Sequence, residues 1–329
     1  VIFLLGPFLI LTGAAQSPAI EARCPRYARI FGGRQGACSL HFIGLVLFAL
    51  FTLGHTILVI YTGPGRNLGD ITLGQHEHDT GLAIVIAVIV IVAILVLYVL
   101  TSLLSRRNPR RWVIALGAVF RPLMRLLTLR ARSRQQYPRS EISPYLIVNG
   151  YPPRADEEYE RLRAGDFAGW RLHVYGLVEE PREFSLADLQ ELPAMTQITK
   201  HHCIQGWCGI AAWRGIALAD VLKQCRPLPQ ARYILFRSYQ RDTAGRPFYE
   251  TLDTRLFDHP QTILAYEMND QPLTIEHGAP LRLRVETQLG FKMVKWLREI
   301  ELIEDYRCIG DGMGGSREDL MHYEQVASI

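Results

Sequence analysis

Nineteen consecutive apolar residues, Leu82 to Leu100, contain no charge, no proline and no glycine. A helix needs about 20 such residues to cross about 30 Å of hydrocarbon, so this run predicts a transmembrane helix. Leu40 to Tyr61 predicts a second, interrupted only by His41, His55, Thr52, Thr56 and small residues. Val1 to Gly13 opens inside an apolar stretch, without an initiator Met or the basic n-region of a signal peptide. It reads as the remnant of a third helix in a fragment whose earlier helices are missing.

Charge divides the rest. The chain of 329 residues carries a net charge of +4, unevenly spread. Ten arginines lie between Arg106 and Arg139, with no acid until Glu141. Directly after a membrane helix such a run faces anionic lipid more readily than nucleic acid, and Val113 to Leu129 within it reads as an interfacial helix. Residues 14–37 hold Arg23, Arg26, Arg29 and Arg34 against Glu21, whereas residues 62–79 hold Arg66 against Asp70, Glu77 and Asp79. Two crossings place both basic segments on one side, which positive charge makes cytoplasmic. The expected organisation is a membrane domain over 1–104, a basic linker over 105–140 and a cytoplasmic domain over 141–329, in an inner-membrane protein. Six cysteines without paired spacing fit a reducing compartment.

His41 and His55 stand fourteen residues apart on one predicted helix, about 21 Å along its axis and within about 40° of one face. Ionisable groups in hydrocarbon are costly and mark function. Either each histidine hydrogen-bonds a neighbouring helix, with His41 near the interface, or the two are axial ligands of two haems, one near each membrane face. The segment Phe31-Gly-Gly-Arg-Gln-Gly-Ala-Cys-Ser-Leu-His-Phe-Ile-Gly44 resembles the dihaem cytochromes b related to cytochrome b561, over roughly residues 1–104. That resemblance implies two b haems whose opposite ligands lie on the missing helices, and a quinone or another electron carrier as partner. His76 and His78, in the loop, are expected to be solvated.

From Tyr145 the pattern changes to short strands, predicted at Tyr145–Val148, Trp170–Leu177, Arg232–Ser238, Thr262–Tyr266, Leu281–Glu286 and Trp296–Ile303. Helices are predicted at Ala155–Arg163, Leu186–Leu192 and Leu218–Gln224. The fold class expected is thus a partial transmembrane α-helical bundle followed by an α+β domain. In Thr199-Lys-His-His-Cys-Ile-Gln-Gly-Trp207, placed just ahead of a helix, Cys203 has the surroundings of a soft metal ligand, not of an inert buried thiol. Cys208, Cys225 and Cys308 suit the inert role better. His201 and His202 read either as hydrogen-bond donors behind the metal ligand or as solvated histidines. Lysine is rare, four residues against 32 arginines. Two of the four, Lys292 and Lys295, fall in Gly290-Phe-Lys-Met-Val-Lys-Trp296, as expected for fixed cations that hold an anion.

These strings, with His277-Gly-Ala-Pro-Leu-Arg-Leu-Arg284, resemble the molybdopterin-binding domain of the sulfite oxidase family over nearly all of residues 141–329. The resemblance implies that Cys203 gives its thiolate to molybdenum. It implies that Met293, Val294 and Lys295 contact the cofactor, with Lys292 in the same motif, and that His277 and Arg282 hold it too. Ser238 falls where the family places a hydroxyl near the pterin, and Asn149 where it places an amide. Gln205 stands where several bacterial members carry a carboxylate. The implied function is a membrane-bound molybdopterin oxidoreductase that transfers an oxygen atom to or from a small oxo-acid, S-oxide or N-oxide and exchanges electrons through b-type haem. Two other readings compete: a haem electron-transfer protein, or a membrane-anchored binding module, each with a metal-free soluble domain. Nothing points to nucleic acid.

Overall fold

The computed structural model describes residues 3–74, 80–128, 135–242 and 245–323, with 325, 327 and 329, and divides into two compact units, Val1–Ala118 and Val119–Ile329. His76, His78, Arg130, Arg132 and Arg134 lie outside the described residues.

The first unit is helical: α1 (Leu5–Ala15), α2 (Pro18–Arg23), α3 (Pro25–Ile30), α4 (Gly33–Tyr61), α5 (Pro64–Leu73), α6 (Thr80–Arg107) and the start of α7 (Pro109–Thr128). Proline at the first turn of α2, α3 and α5 starts each where a missing N–H costs nothing. α4 and α6 have 29 and 28 residues, so each spans about 42 Å or more at 1.5 Å per residue, enough to cross a membrane. Their bounds enclose both predicted spans. Predicted interfacial residues from Val113 onward lie in α7, which ends at Thr128. α1 packs along α4 where Gly44 leaves room for Phe8 and Leu9.

The second unit is α+β. It contains α8 (Glu157–Ala164), β1 (Arg171–Gly176), β2 (Arg182–Ser185), α9 (Leu186–Glu191), β3 (Ala194–His202), β4 (Cys208–Ala217) and α10 (Leu218–Cys225). Then come β5 (Tyr233–Arg241), β6 (Pro247–Asp253), β7 (Thr262–Met268), β8 (Gln271–Pro272), β9 (Arg282–Val285), β10 (Leu297–Ile303) and α11 (Ser316–Met321). One sheet runs β2-β1-β10-β5-β6 with β1 and β10 parallel; the other runs β3-β4-β7-β8 with β9 also on β7. A single core cluster takes Leu172, Phe236 and Ile300 from the first sheet, Ile216, Leu264 and Leu283 from the second, and Val221 and Leu222 from α10. Helix starts follow local chemistry: Asp156 accepts from Tyr159 N at 3.0 Å to begin α8, and Ser185 and Asp188 cap each other at α9.

Two predictions fail here. Tyr145–Val148 forms no strand: its four consecutive apolar residues pair with no strand among the described residues, and Tyr145 and Ile147 are exposed. Cys203 does not precede a helix. β3 and β4 pair from Ala194↔Ile216 to His202↔Cys208, so Cys203 opens the hairpin loop between two strands, and α10 begins only after β4.

Candidate active site

The hairpin loop is closed by Cys203 N–H donating to Trp207 O at 3.0 Å and Gly206 N–H donating to Cys203 O at 3.1 Å. This turn holds the Cys203 thiol, 3% exposed, at a cleft of about 290 Å³. Asn149 Nδ2 lies 3.4 Å and Gln205 N 3.5 Å from its sulfur. Two N–H donors thus point at the one thiol in the cleft.

The opposite wall comes from β9 and the segment after it. Period two along β9 sends Leu283 and Val285 into the core and turns Arg282 and Arg284 to the other face, where both guanidiniums stack on the buried Trp213, at 4.7 and 4.3 Å from its ring. Arg282 Nη1 donates to His277 O at 2.9 Å, while its buried Nε has no hydrogen-bond partner. Lys295 lays its ammonium over the Trp296 ring and donates to Asn149 O at 2.5 Å and Glu276 O at 2.7 Å. Gly278, at φ +107°, makes that path possible, because a Cβ there would come within 2.9 Å of the Lys295 side chain. Burial, then Arg282, push the Lys295 ammonium down to about 7. Burial, then Arg282 and Lys295, push His277 down to about 4. Burial and Arg284 likewise work against the charge on Arg282.

The lining of the cleft, Arg282, Lys295 and Arg317 included, contains no Asp or Glu among the described residues. Cations that form no ion pair among the described residues, one with an unused buried N–H, suit a site for an anion. The structure thus brings together Cys203, Asn149, His277, Arg282, Met293, Val294 and Lys295 of the predicted residues. Met293 and Val294 are buried, and part of their backbone is already engaged: Met293 N–H donates to Gly290 O and Val294 O accepts from Leu283 N.

Ser238 and Lys292 stand elsewhere. Ser238 Oγ donates to Lys295 O at 2.6 Å and accepts from Gln240 N at 2.9 Å, so it braces the motif from behind instead of facing the cleft. Lys292 is fully buried, its ammonium 2.8 Å from Glu250 and also bonded to Glu318. These two carboxylates hold its charge away from any ligand and raise its pKa against the effect of burial. Of the cysteines expected to be inert, only Cys225 is buried, its thiol pushed up to about 11 by that burial; Cys208 is half-buried and Cys308 exposed. His201 and His202 are both buried rather than solvated.

Sequence reasoning missed the network behind His201. Gln197 Nε2 donates to Glu286 Oε1 at 3.0 Å, Glu286 takes Arg284 in a two-pronged ion pair at 2.9 and 2.8 Å, and Arg284 Nη1 lies 2.9 Å from His201 Nδ1. Burial first, then Arg284 and Arg282, hold His201 well below the ordinary histidine range. The alternation Gln197, Thr199, His201 on one face of β3 was the signal available for it.

Residues 160–307 match the family described as oxidoreductase molybdopterin binding domain. An uncharacterised oxidoreductase of Bacillus subtilis, YuiH, is 32% identical over 141 residues, 43% of this chain and 68% of that protein. The chain belongs to the molybdopterin-binding oxidoreductases. A putative protein-methionine-sulfoxide reductase subunit, YedZ1, of Azospira oryzae is 31% identical over 170 residues, 52% of this chain and 61% of that protein. The protein-methionine-sulfoxide reductase catalytic subunit MsrP of Xanthomonas campestris pv. campestris is 32% identical over 145 residues, 41% of this chain and 45% of that protein. The chain therefore spans between 45 and 68% of these relatives' lengths. Sulfane dehydrogenase SoxCD of Paracoccus pantotrophus, a solved structure, gives a TM-score of 0.38 at 23% identity, covering 46% of this chain and 40% of that one. In this molybdopterin oxidoreductase domain, the unpaired cations and the thiol fit the group for which the family is described: a phosphate-bearing pterin with a metal that prefers sulfur.

Proposed function

We propose that the chain is a membrane-bound molybdopterin oxidoreductase that carries out oxygen-atom transfer, with S-oxides the favoured substrates, and exchanges electrons through b-type haem with a quinone or another carrier. The observation that carries this reading is the cationic cleft around one buried thiol, lined by no acid among the described residues. Cys203 would hold the molybdenum; Arg282, Lys295 and His277 would neutralise and orient the pterin's anionic tail; Asn149 would hydrogen-bond beside the sulfur. When bound, the cofactor supplies two-electron oxygen transfer, by which an S-oxide, two electrons and two protons give a thioether and water. Two of the relatives carry methionine-sulfoxide reductase names, which supports S-oxides over oxo-acids and N-oxides.

The haem part of the proposal rests on α4, read as one helix of a dihaem cytochrome b bundle. Thr12 Oγ1 donates to Phe8 O at 2.8 Å and lies 3.0 Å from His41 Nδ1. With the Thr12 proton on Phe8 O, His41 Nδ1 would donate in the second contact and Nε2 would keep a lone pair with which to hold iron. His55 is exposed and stacks on Phe51. The molybdenum domain would face the cytoplasm beside anionic lipid, as the arginines flanking the two spans suggest. A reporter joined after Ile329 should be active on the cytoplasmic side; activity on the outer side alone reverses the orientation.

The deciding experiment is metal and pterin content with activity in Cys203→Ser. An alkoxide is a harder, more basic ligand than a thiolate, so turnover should fall at least a thousandfold, roughly the loss of a reacting-centre group. Full turnover in that variant refutes the assignment.

A further inference from the structure

His201 is the side chain of the cleft whose proton position the fold itself decides. A guanidinium has donors and no acceptor, so in the 2.9 Å contact with Arg284 the His201 Nδ1 must offer its lone pair. Arg284 cannot turn away: it is fully buried, and both prongs of Glu286 hold it, with Gln197 fixing Glu286 in turn. The neutral ring therefore carries its hydrogen on Nε2. That edge of the ring lies against Gly290, where an added Cβ would come within 2.2 Å of Cε1 and 2.4 Å of Nε2. His201, Gly290 and Cys203 line the same cleft, and β3 that ends at His202 delivers both His201 and Cys203 to it.

We propose that His201 Nε2–H is a fixed, uncharged hydrogen-bond donor to the oxygen of an S-oxide or N-oxide substrate. The inference rests on the reading of the cleft as an oxygen-transfer site and adds the group that seats the transferred oxygen. The cations of the cleft suit the cofactor's anionic tail. A neutral donor two residues from the metal ligand suits a strong but uncharged acceptor, because it orients that oxygen without adding charge to a crowded cationic wall.

Two substitutions separate the two edges of the ring. In His201→Gln the side-chain amide reaches where Nε2 stands and keeps a donor there. In His201→Asn the shorter amide faces Arg284 and leaves the cleft without the donor. In the full-length, cofactor-loaded protein, binding of methionine sulfoxide should weaken about tenfold in the Asn variant and change little in the Gln variant, the loss expected for one unmet buried hydrogen bond. Molybdenum and pterin content should stay level in both, and the melting temperature should fall only in the Gln variant, which leaves Arg284 Nη1 without its acceptor. Equal binding by wild type and Asn, or equal loss in Gln and Asn, overturns the proposal, as does loss of the cofactor itself from the Asn variant alone. Should the Asn variant not fold, the imidazole ¹⁵N shifts of His201 in the wild type decide: an Nε2–H tautomer perturbed by methionine sulfoxide supports the donor, and an Nδ1–H tautomer refutes it. A wild type that holds no molybdenum, or holds it and binds no S-oxide, fails on the functional reading instead, which the same measurements report separately.

Discussion

Helix α6 and strand β5 both carry large apolar residues, and they turn them in opposite directions. Ile91 and Leu97 of α6 are 57 and 63% exposed, whereas Ile234 and Phe236 of β5 are wholly buried. The first unit has few buried apolar side chains among its described residues, a surface that suits an apolar solvent; the second supplies its own interior. Charges follow the inverse rule. Between Leu82 and Leu100 there are none, while the second unit buries Arg284 with Glu286 and Lys292 with Glu250 and Glu318.

The sharpest way to break this comparison is to remove the cation from the buried triad. Lys292→Met leaves two carboxylates together without counter-charge, and should cost about 3–5 kcal/mol in chemical denaturation of the second unit. A loss under 1 kcal/mol would mean that Glu250 and Glu318 settle the charge between themselves by sharing a proton. Next in size is a charge placed in the first unit. Ile91→Arg should lower membrane insertion by about 2.5–3.5 kcal/mol, read from the inserted fraction, while Leu320→Arg, equally exposed but on the second unit, should stay within about 0.5 kcal/mol. Similar costs at both positions would show that water, not lipid, covers α6.

Taken per pH unit, the smallest effect sharpens the comparison within the cleft. Folded Lys295 loses its proton at about 7, whereas the unfolded chain keeps it to near the ordinary 10.5. The cost of the buried ammonium is fully present below pH 7. Stability should then rise with pH between about 7 and 10, by no more than about 1.4 kcal/mol per unit. Denaturation across that range should show the slope with the cleft empty, a flatter one in Lys295→Met, and little slope once an anionic pterin is bound.

What could be read from the sequence follows the same division. A long apolar helix announces itself by composition in one continuous stretch, so α4 and α6 were legible, though the start of α4 and the end of α6 each lie seven residues beyond the apolar run. β3 and β4 were not. Most of β4 is buried on both faces, so it lacks the alternation that marks a half-buried strand, and β3 leads straight into the metal-ligand string. Cys203 stood out by its type and surroundings, whereas Arg282, one of 32 arginines, was marked only by the family resemblance. Lys292 stood out for the same reason and misled: its scarcity marked a buried ion cluster, because its partners lie 42 and 26 residues away in the chain. His201 was ambiguous for the matching reason, since only the fold puts Arg284 against one of its nitrogens.

Asn149 and Lys295 meet at the cleft from positions 146 residues apart. A site assembled across that span does not exist in a half-folded chain, because loop closure must precede every contact that forms it. The cofactor then binds the finished domain and not the unfolded one, and its occupancy shifts the folding equilibrium by mass action. Cells short of the cofactor should therefore hold less of the intact domain, so that its abundance tracks cofactor supply before any activity is measured.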